Sequence, residues 1–315
     1  MNNKLHSLQS KLWIVTFPLA IGLVWLVVTQ VGWRIFFEAI DNFSPLVWVF
    51  TLICTFTELY FQLLRSWVML RVDIPDLKFW TVAKAGLAAF SAGSFTPGRV
   101  GDSALILLIP GASTRAIGIA LVDRIMFWPP MHILGSIGLG VFFLPKFGMM
   151  GLGISILIGI LYFALMEWVF HITRAHHKPL TSRKFFVELY HGFTALPKKV
   201  WRLGLLLGLV QYIIIMIQFR IGLWAIGSKV SIFDSGVIFA CLQLLRSFVA
   251  FTPGNLGTSE IIGMVLGSNY AGLSPDTLPQ ITIPFFLTNT VIPALIGFPL
   301  WISMSRQLKR HQSND

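Results

Sequence analysis

The chain has 315 residues, 55% of them hydrophobic and only 12% charged, and its mean hydropathy is +0.76. Soluble domains carry about a quarter charged residues, so this composition excludes an ordinary soluble core and points to the bilayer as solvent. The net charge of +11 does not imply a nucleic-acid partner, because Lys and Arg gather in short segments between apolar runs, the pattern that sets membrane topology.

Along the chain, the first apolar run covers 12–29, behind Lys4 and Lys11. No small-x-small cleavage site follows in VTQVGWR, so the run is expected to be a retained first span, not a signal peptide. Runs at 45–64, 119–143, 149–172, 203–227 and 281–304 are also near the roughly 20 residues that cross the hydrocarbon. Two more runs are each broken by a polar cluster: 80–110, broken at 95–102, and 234–268, broken at 251–260. Each half is too short to cross alone. The pattern predicts an all-α polytopic membrane protein, a single integral domain over 1–315, with about six spanning helices and two re-entrant broken-helix pairs. With the N-terminus in the cytoplasm, 16 of the 24 basic residues, Arg65 among them, fall in cytoplasmic segments; Arg34, Lys146 and Lys229 fall outside. That bias predicts cytoplasmic N- and C-termini. Lys84, Arg99, Arg124, Arg220 and Arg246 fall inside apolar runs. The polar segment 173–202 holds seven basic residues and suits anionic headgroups at the cytoplasmic face. His171, His176, His177 and His191 on or near it match no zinc spacing. Cys54 and Cys241 both lie in apolar runs and suggest neither disulfide nor metal.

The two polar interruptions share their wording. FTPGRVGD at 95–102 and FTPGNLGT at 251–258 match at Phe, Thr, Pro and both Gly, 156 residues apart. In the topology above one enters from the cytoplasm and the other from outside, which is an inverted repeat, with one unit centred on 80–143 and the other on 234–304. Such repeats hold their substrates near the midplane at broken helices. Thr96 and Thr252 suit N-caps, and Pro97 and Pro253 suit the first helical position. Gly98, Gly101, Gly254 and Gly257 allow close backbone approach. Each motif is thus expected to start a half-helix whose positive end favours an anion. Arg99 adds a guanidinium fork suited to phosphate, where the second copy has Asn255.

These residues resemble the lysylphosphatidylglycerol synthase transmembrane, or flippase-like, family. FTPGRVGDSALILLIPG with the later AIGIALVDRIMFW is similar to its first signature, with Asp102 in place of a Glu and Asp123-Arg124 as the acidic–Arg pair. AFTPGNLGTSEIIGMVLG is similar to the second signature, which includes Glu260. The resemblance implies an inner-membrane protein that moves lipids, or lipid-linked intermediates, between leaflets. Some relatives carry a soluble aminoacyl-transfer domain; the chain stops at Asp315, so that activity is expected to be absent.

An ionisable side chain at bilayer depth costs at least about 2.5 kcal/mol and is a functional candidate by default. Arg99, Arg124 and Arg246 are the expected phosphate contacts, since Arg donates bidentately. Internal pairing is the alternative: Asp123 or Glu58 with Arg124, and Glu260 with Arg246. Glu58 is also a candidate for proton coupling, and Arg220 is expected to snorkel or serve structure. His132, alone in an apolar helix, is expected to be structural. No GxxxxGK[ST], HExxH or G-x-S-x-G occurs, so neither an ATP-driven pump nor a hydrolase is expected, and neither cofactor nor metal.

The expected function is translocation of an anionic phospholipid or a polyprenyl-phosphate-linked intermediate across the inner (plasma) membrane. A second reading is a non-transporting partner that presents a lipid-linked sugar to a glycosyltransferase or lipid-synthesis enzyme. A third, an enzyme acting on a lipid phosphate, would use Asp102 and Ser103 but finds no accompanying His.

Overall fold

A computed structural model of the chain describes residues 33–94, 100–147, 191–192, 195–248, 258–274 and 277–313, with Trp25 and single positions between 149 and 161. Every regular element among the described residues is helical. The elements are α1 (Trp33–Asp41), α2 (Pro45–Leu70), α3 (Phe79–Gly93), a 3-10 segment (Val100–Leu108), α4 (Thr114–Ile125) and α5 (Trp128–Phe147). After these come α6 (Lys198–Ala225), α7 (Ile232–Phe248), α8 (Thr258–Ala271), α9 (Pro279–Phe286), a π turn (Leu287–Val291) and α10 (Ile292–Ser313). Local chemistry sets several of these boundaries. Ser44 accepts the Val47 N–H at 3.4 Å with Pro45 at the first helical position, and Ser113 accepts the Ala116 N–H at 3.1 Å. The π turn sits where Pro293 offers no N–H to the carbonyl four residues back.

Four stretches are long and apolar enough to cross a membrane: Pro45–Leu70, Arg115–Phe143, Lys198–Ala225 and Pro279–Met304. They coincide with four of the six expected runs. The expected span 12–29, most of 149–172, and the loop 173–190 lie outside the described residues. The protein is a multi-pass membrane protein, and its lipid-facing surface is apolar: on α2, Leu46, Val49, Phe50, Ile53, Phe56 and Tyr60 are exposed.

The first broken run is interrupted after a capped turn at Ser94, whereas the second is described only up to Phe248 and again from Thr258. α3 ends at Gly93 and α7 at Phe248. The motif residues 95–99 and 249–257, including Thr96, Pro97, Gly98, Arg99, Thr252, Pro253, Gly254, Asn255 and Gly257, lie outside the described residues. Beyond the first motif the backbone differs from the expected α half-helix: Val100–Leu108 is a tighter 3-10 helix. Its first turn holds Gly101, Asp102 and Ser103, which weaken α-helix, and Asp102 is drawn against α3.

Packing divides the apolar interior into two main clusters. One joins α3, the 3-10 segment and α4 with Trp301 of α10. The other joins α6, α7, α8 and α9 with Met131, Leu139 and Phe142 of α5. Glycines let the helices close up: a Cβ on Gly297 would overlap the Leu87 carbonyl, and one on Gly135 would come within 2.5 Å of Leu244 Cβ. α2 and α6 lie antiparallel along each other, since Thr51 meets Gln218 while Arg65 meets Gln211.

Candidate functional site: a polar seam between two helices

α2 turns its apolar side to the lipid and its polar side inward. Thr51, Thr55, Gln62, Arg65 and Ser66 are buried and Glu58 is half-buried. They recur at helical spacing, on one face, over about 22 Å at 1.5 Å per residue. Opposite them, α6 brings the buried Gln211 and Gln218, seven residues apart. The result is a polar seam along most of a hydrocarbon layer about 30 Å thick.

The end of the seam nearer Leu70 is charged. Arg65 donates from Nε to Asp123 Oδ1 at 2.7 Å and from Nη1 to Gln211 Oε1 at 2.9 Å. Ser66 Oγ donates to Asp123 Oδ2 at 2.6 Å, and Gln211 Nε2 donates to Glu58 Oε1. Arg65 and Asp123 are nearly sealed, with side chains 2% and 4% exposed. Gly208 makes room for the cluster, since its missing side chain would lie 3.4 Å from Arg65 Nη1 and 2.6 Å from the Met126 carbonyl.

This arrangement corrects two expectations. Arg65, counted with the cytoplasmic segment after a run ending at 64, lies inside α2, which continues to Leu70. Asp123 pairs with Arg65 and not with Arg124. Successive residues on a helix diverge by about 100°, so Asp123 faces Arg65 while Arg124 faces the first broken run. There Arg124 Nη1 meets Asp102 Oδ2 at 2.9 Å, with side chains 31% and 1% exposed. Asp102 is seated against Gly93, where a Cβ would overlap Asp102 Oδ1 and come within 2.7 Å of its backbone nitrogen. The acidic residue of the first motif is thus tied to the arginine of the acidic–Arg pair.

The end of the seam nearer Pro45 is uncharged. Gln218 and Asn289 exchange two amide hydrogen bonds of 2.8 Å. Gln218 Nε2 also lies 3.0 Å from Thr55 Oγ1 and 3.1 Å from the Thr51 carbonyl. Thr55 Oγ1 donates to Asn289 Oδ1.

The remaining candidates take no part in the hydrogen bonds described above. Lys84 is exposed on α3, and Arg246 is partly buried in the last turn of α7. Glu260 begins α8, with its side chain outside the described residues. Arg220 continues the outward stripe of Ile213, Ile217 and Trp224 on α6, and its buried Nη1 has no hydrogen-bond partner among the described residues. His132 is held as a structural histidine, with Nδ1 2.8 Å from the Trp128 carbonyl and Nε2 3.4 Å from Ser247 Oγ. Arg65, Ser66, Gln211, Gln218 and Asn289 were not among the expected site residues. Their signal was polar residues recurring every three or four positions within otherwise apolar runs.

Fold and site together define a multi-pass, all-helical membrane protein with a charged and amide-lined interior. The sequence profile described as the lysylphosphatidylglycerol synthase TM region matches residues 13–297, and the chain belongs to that family. Comparison with curated proteins and with solved structures gave no match. The family places the chain in membrane lipid metabolism or transport.

Proposed function

We propose that the protein is a lipid translocase of the inner membrane, moving an anionic phospholipid or a polyprenyl-phosphate-linked intermediate between leaflets through an inverted repeat with both termini in the cytoplasm. The observation that carries this reading is a buried, charged seam between α2 and α6, two helices that the spacing of the motifs relates. The 156-residue shift between the motifs carries 45–70 onto 201–226, overlapping α6, and 79–93 onto 235–249, overlapping α7. Contacts follow the same exchange: α3 packs on α10 as α7 packs on α5, and α2 packs on α6, its own counterpart. The antiparallel course of α2 and α6 supports inversion of one half relative to the other. Coupling ions and substrates of such repeats sit at the junction of the halves.

In this reading the headgroup phosphate is received by Arg124, whose guanidinium is partly exposed beside the first motif, together with Arg99 and the backbone of 96–98. Arg246, Glu260 and the second motif, 252–257, serve the other half. Arg65 and Asp123 hold α4 in place, and Glu58 is the group placed to exchange a proton. The test is leaflet exchange of a fluorescent anionic lipid in vesicles carrying the purified protein. A charge-assisted contact is worth about 1.5–3 kcal/mol, so Arg124→Ala should slow exchange by about tenfold or more without loss of the folded protein. Exchange by the wild type no faster than in empty vesicles would overturn the proposal.

A further inference from the structure

At the uncharged end of the seam one amide nitrogen meets more oxygens than it has hydrogens. Gln218 Nε2 carries two hydrogens but meets three oxygens: Asn289 Oδ1 at 2.8 Å, Thr55 Oγ1 at 3.0 Å and the Thr51 carbonyl at 3.1 Å. The single hydroxyl hydrogen of Thr55 faces both the Thr51 carbonyl, at 3.0 Å, and Asn289 Oδ1. Thr51 Oγ1 belongs to a residue with 0% exposure and has no hydrogen-bond partner among the described residues. Buried oxygens are ordinarily matched by donors. Here the positive end of one amide dipole sits inside a shell of oxygens, as a small cation would.

The backbone adds an independent sign. Asn289 lies in the π turn Leu287–Val291, and its carbonyl is four residues before Pro293, which has no N–H to give it. π turns gather at functional sites, and broken helices at repeat junctions release carbonyls that hold coupling ions. The oxygens are hydroxyl, amide and carbonyl, with no carboxylate. A neutral shell of this kind replaces the hydration of a single charge, whereas a divalent ion without an anionic ligand would carry a far larger desolvation penalty.

We infer that Thr51, Thr55 and Asn289 form a binding site for a dehydrated alkali cation, Na⁺ or K⁺, whose place the Gln218 amide holds when the ion is absent. As the ion enters, Gln218 swings aside, which loosens the tie it makes between α2 and α10's π turn. Ion occupancy thereby changes the contact between the two halves. The inference does not rest on lipid translocation, because ion binding is read without any transport assay.

The experiment uses the full chain purified in detergent, unfolded by heat in NaCl, KCl or N-methylglucamine chloride at equal ionic strength. A ligand that binds only the folded state raises the midpoint with the logarithm of its concentration. The expected result is such a rise in NaCl or in KCl, the salt that produces it naming the ion, and none in N-methylglucamine chloride. Thr51→Val keeps the shape and removes the unpartnered hydroxyl, so it should fold and lose the ion-dependent rise; Asn289→Leu should lose it as well. Identical midpoints in all three salts would overturn the inference, as would a full ion-dependent rise retained by Thr51→Val.

Discussion

The Arg65–Asp123 pair gives the sharpest energetic test. Both side chains are nearly sealed, and Asp123 takes a 2.7 Å bond from Arg65 and a 2.6 Å bond from Ser66. Asp123→Asn keeps the shape but leaves the Arg65 charge without its counter-ion. Removing one member of a buried pair costs about 3–5 kcal/mol, and a lone Arg at bilayer depth costs about 2.5–3.5 kcal/mol on insertion scales. The two estimates overlap near 3 kcal/mol, which is the predicted loss. Arg65→Met should lose slightly more, because Gln211 Oε1 also loses its 2.9 Å donor, a membrane hydrogen bond worth about 0.6 kcal/mol on average. The double variant Arg65→Met/Asp123→Leu leaves no buried charge. It should cost less than either single change, since apolar replacement of a buried pair is often neutral. Equilibrium unfolding in mixed detergent micelles, followed by tryptophan fluorescence, measures all three. A double variant whose loss equals the sum of the singles would refute the pairing.

Gly93→Ala should displace Asp102, because the added methyl overlaps its carboxylate; such overpacking costs about 1–3 kcal/mol, and the same unfolding assay reads it. Gly297→Ala should also destabilise by separating α3 from α10 at the Leu87 carbonyl, whereas Gly236→Ala, whose new methyl meets among the described residues only Met216 Sδ at 3.8 Å, should stay within about 0.5 kcal/mol of the wild type or gain stability. With Cys54 and Cys241 replaced by Ala, Lys229→Cys, exposed in the loop after α6, should react with an impermeant maleimide in intact cells. Asp76→Cys, exposed in the loop after α2, should react only after lysis; the reverse pattern would overturn the proposed orientation.

The sequence disclosed the long helices because bilayer thickness imposes a length that hydropathy reports directly: 45–64, 119–143 and 281–304 fall within long apolar helical stretches of the fold, and 203–227 overruns the end of its stretch, Ala225, by two residues. It was less informative about which polar residues meet. The apolar run 45–64 ends just before Arg65, because a basic residue at the edge of an apolar run reads as a loop. Only the antiparallel neighbour α6 and Asp123, far away in the chain, make that position tolerable. Adjacent in sequence, Asp123 and Arg124 suggested a pair, but helix geometry sends them to different partners. Gln211, Gln218 and Asn289 carry no charge to mark them within apolar runs, although amides buried in hydrocarbon also demand partners. The π turn was legible only in part, through Pro284 and Pro293 on either side of it.

The seam lies where an inverted repeat would generate it. α2 and α6 exchange under the 156-residue shift, so in the proposed repeat their mutual contact would fall on the axis relating the halves. The shift carries Gln62 to Gln218 and Thr55 to Gln211, and all four line the α2 and α6 sides of the seam. The two halves of the sequence differ in charge, however. Glu58, Arg65, Asp102, Asp123 and Arg124 all come from the first, while the second contributes the amides of Gln211, Gln218 and Asn289. Because α2 and α6 run antiparallel, this difference sorts chemistry along the membrane normal: guanidinium and carboxylate at one end, neutral oxygens at the other. An arginine-bearing end suits an anionic headgroup, and a neutral oxygen cage suits a monovalent cation. A headgroup and an ion taken up at opposite ends of one helix pair would act on the same interface, so each would bias the contact that the other depends on.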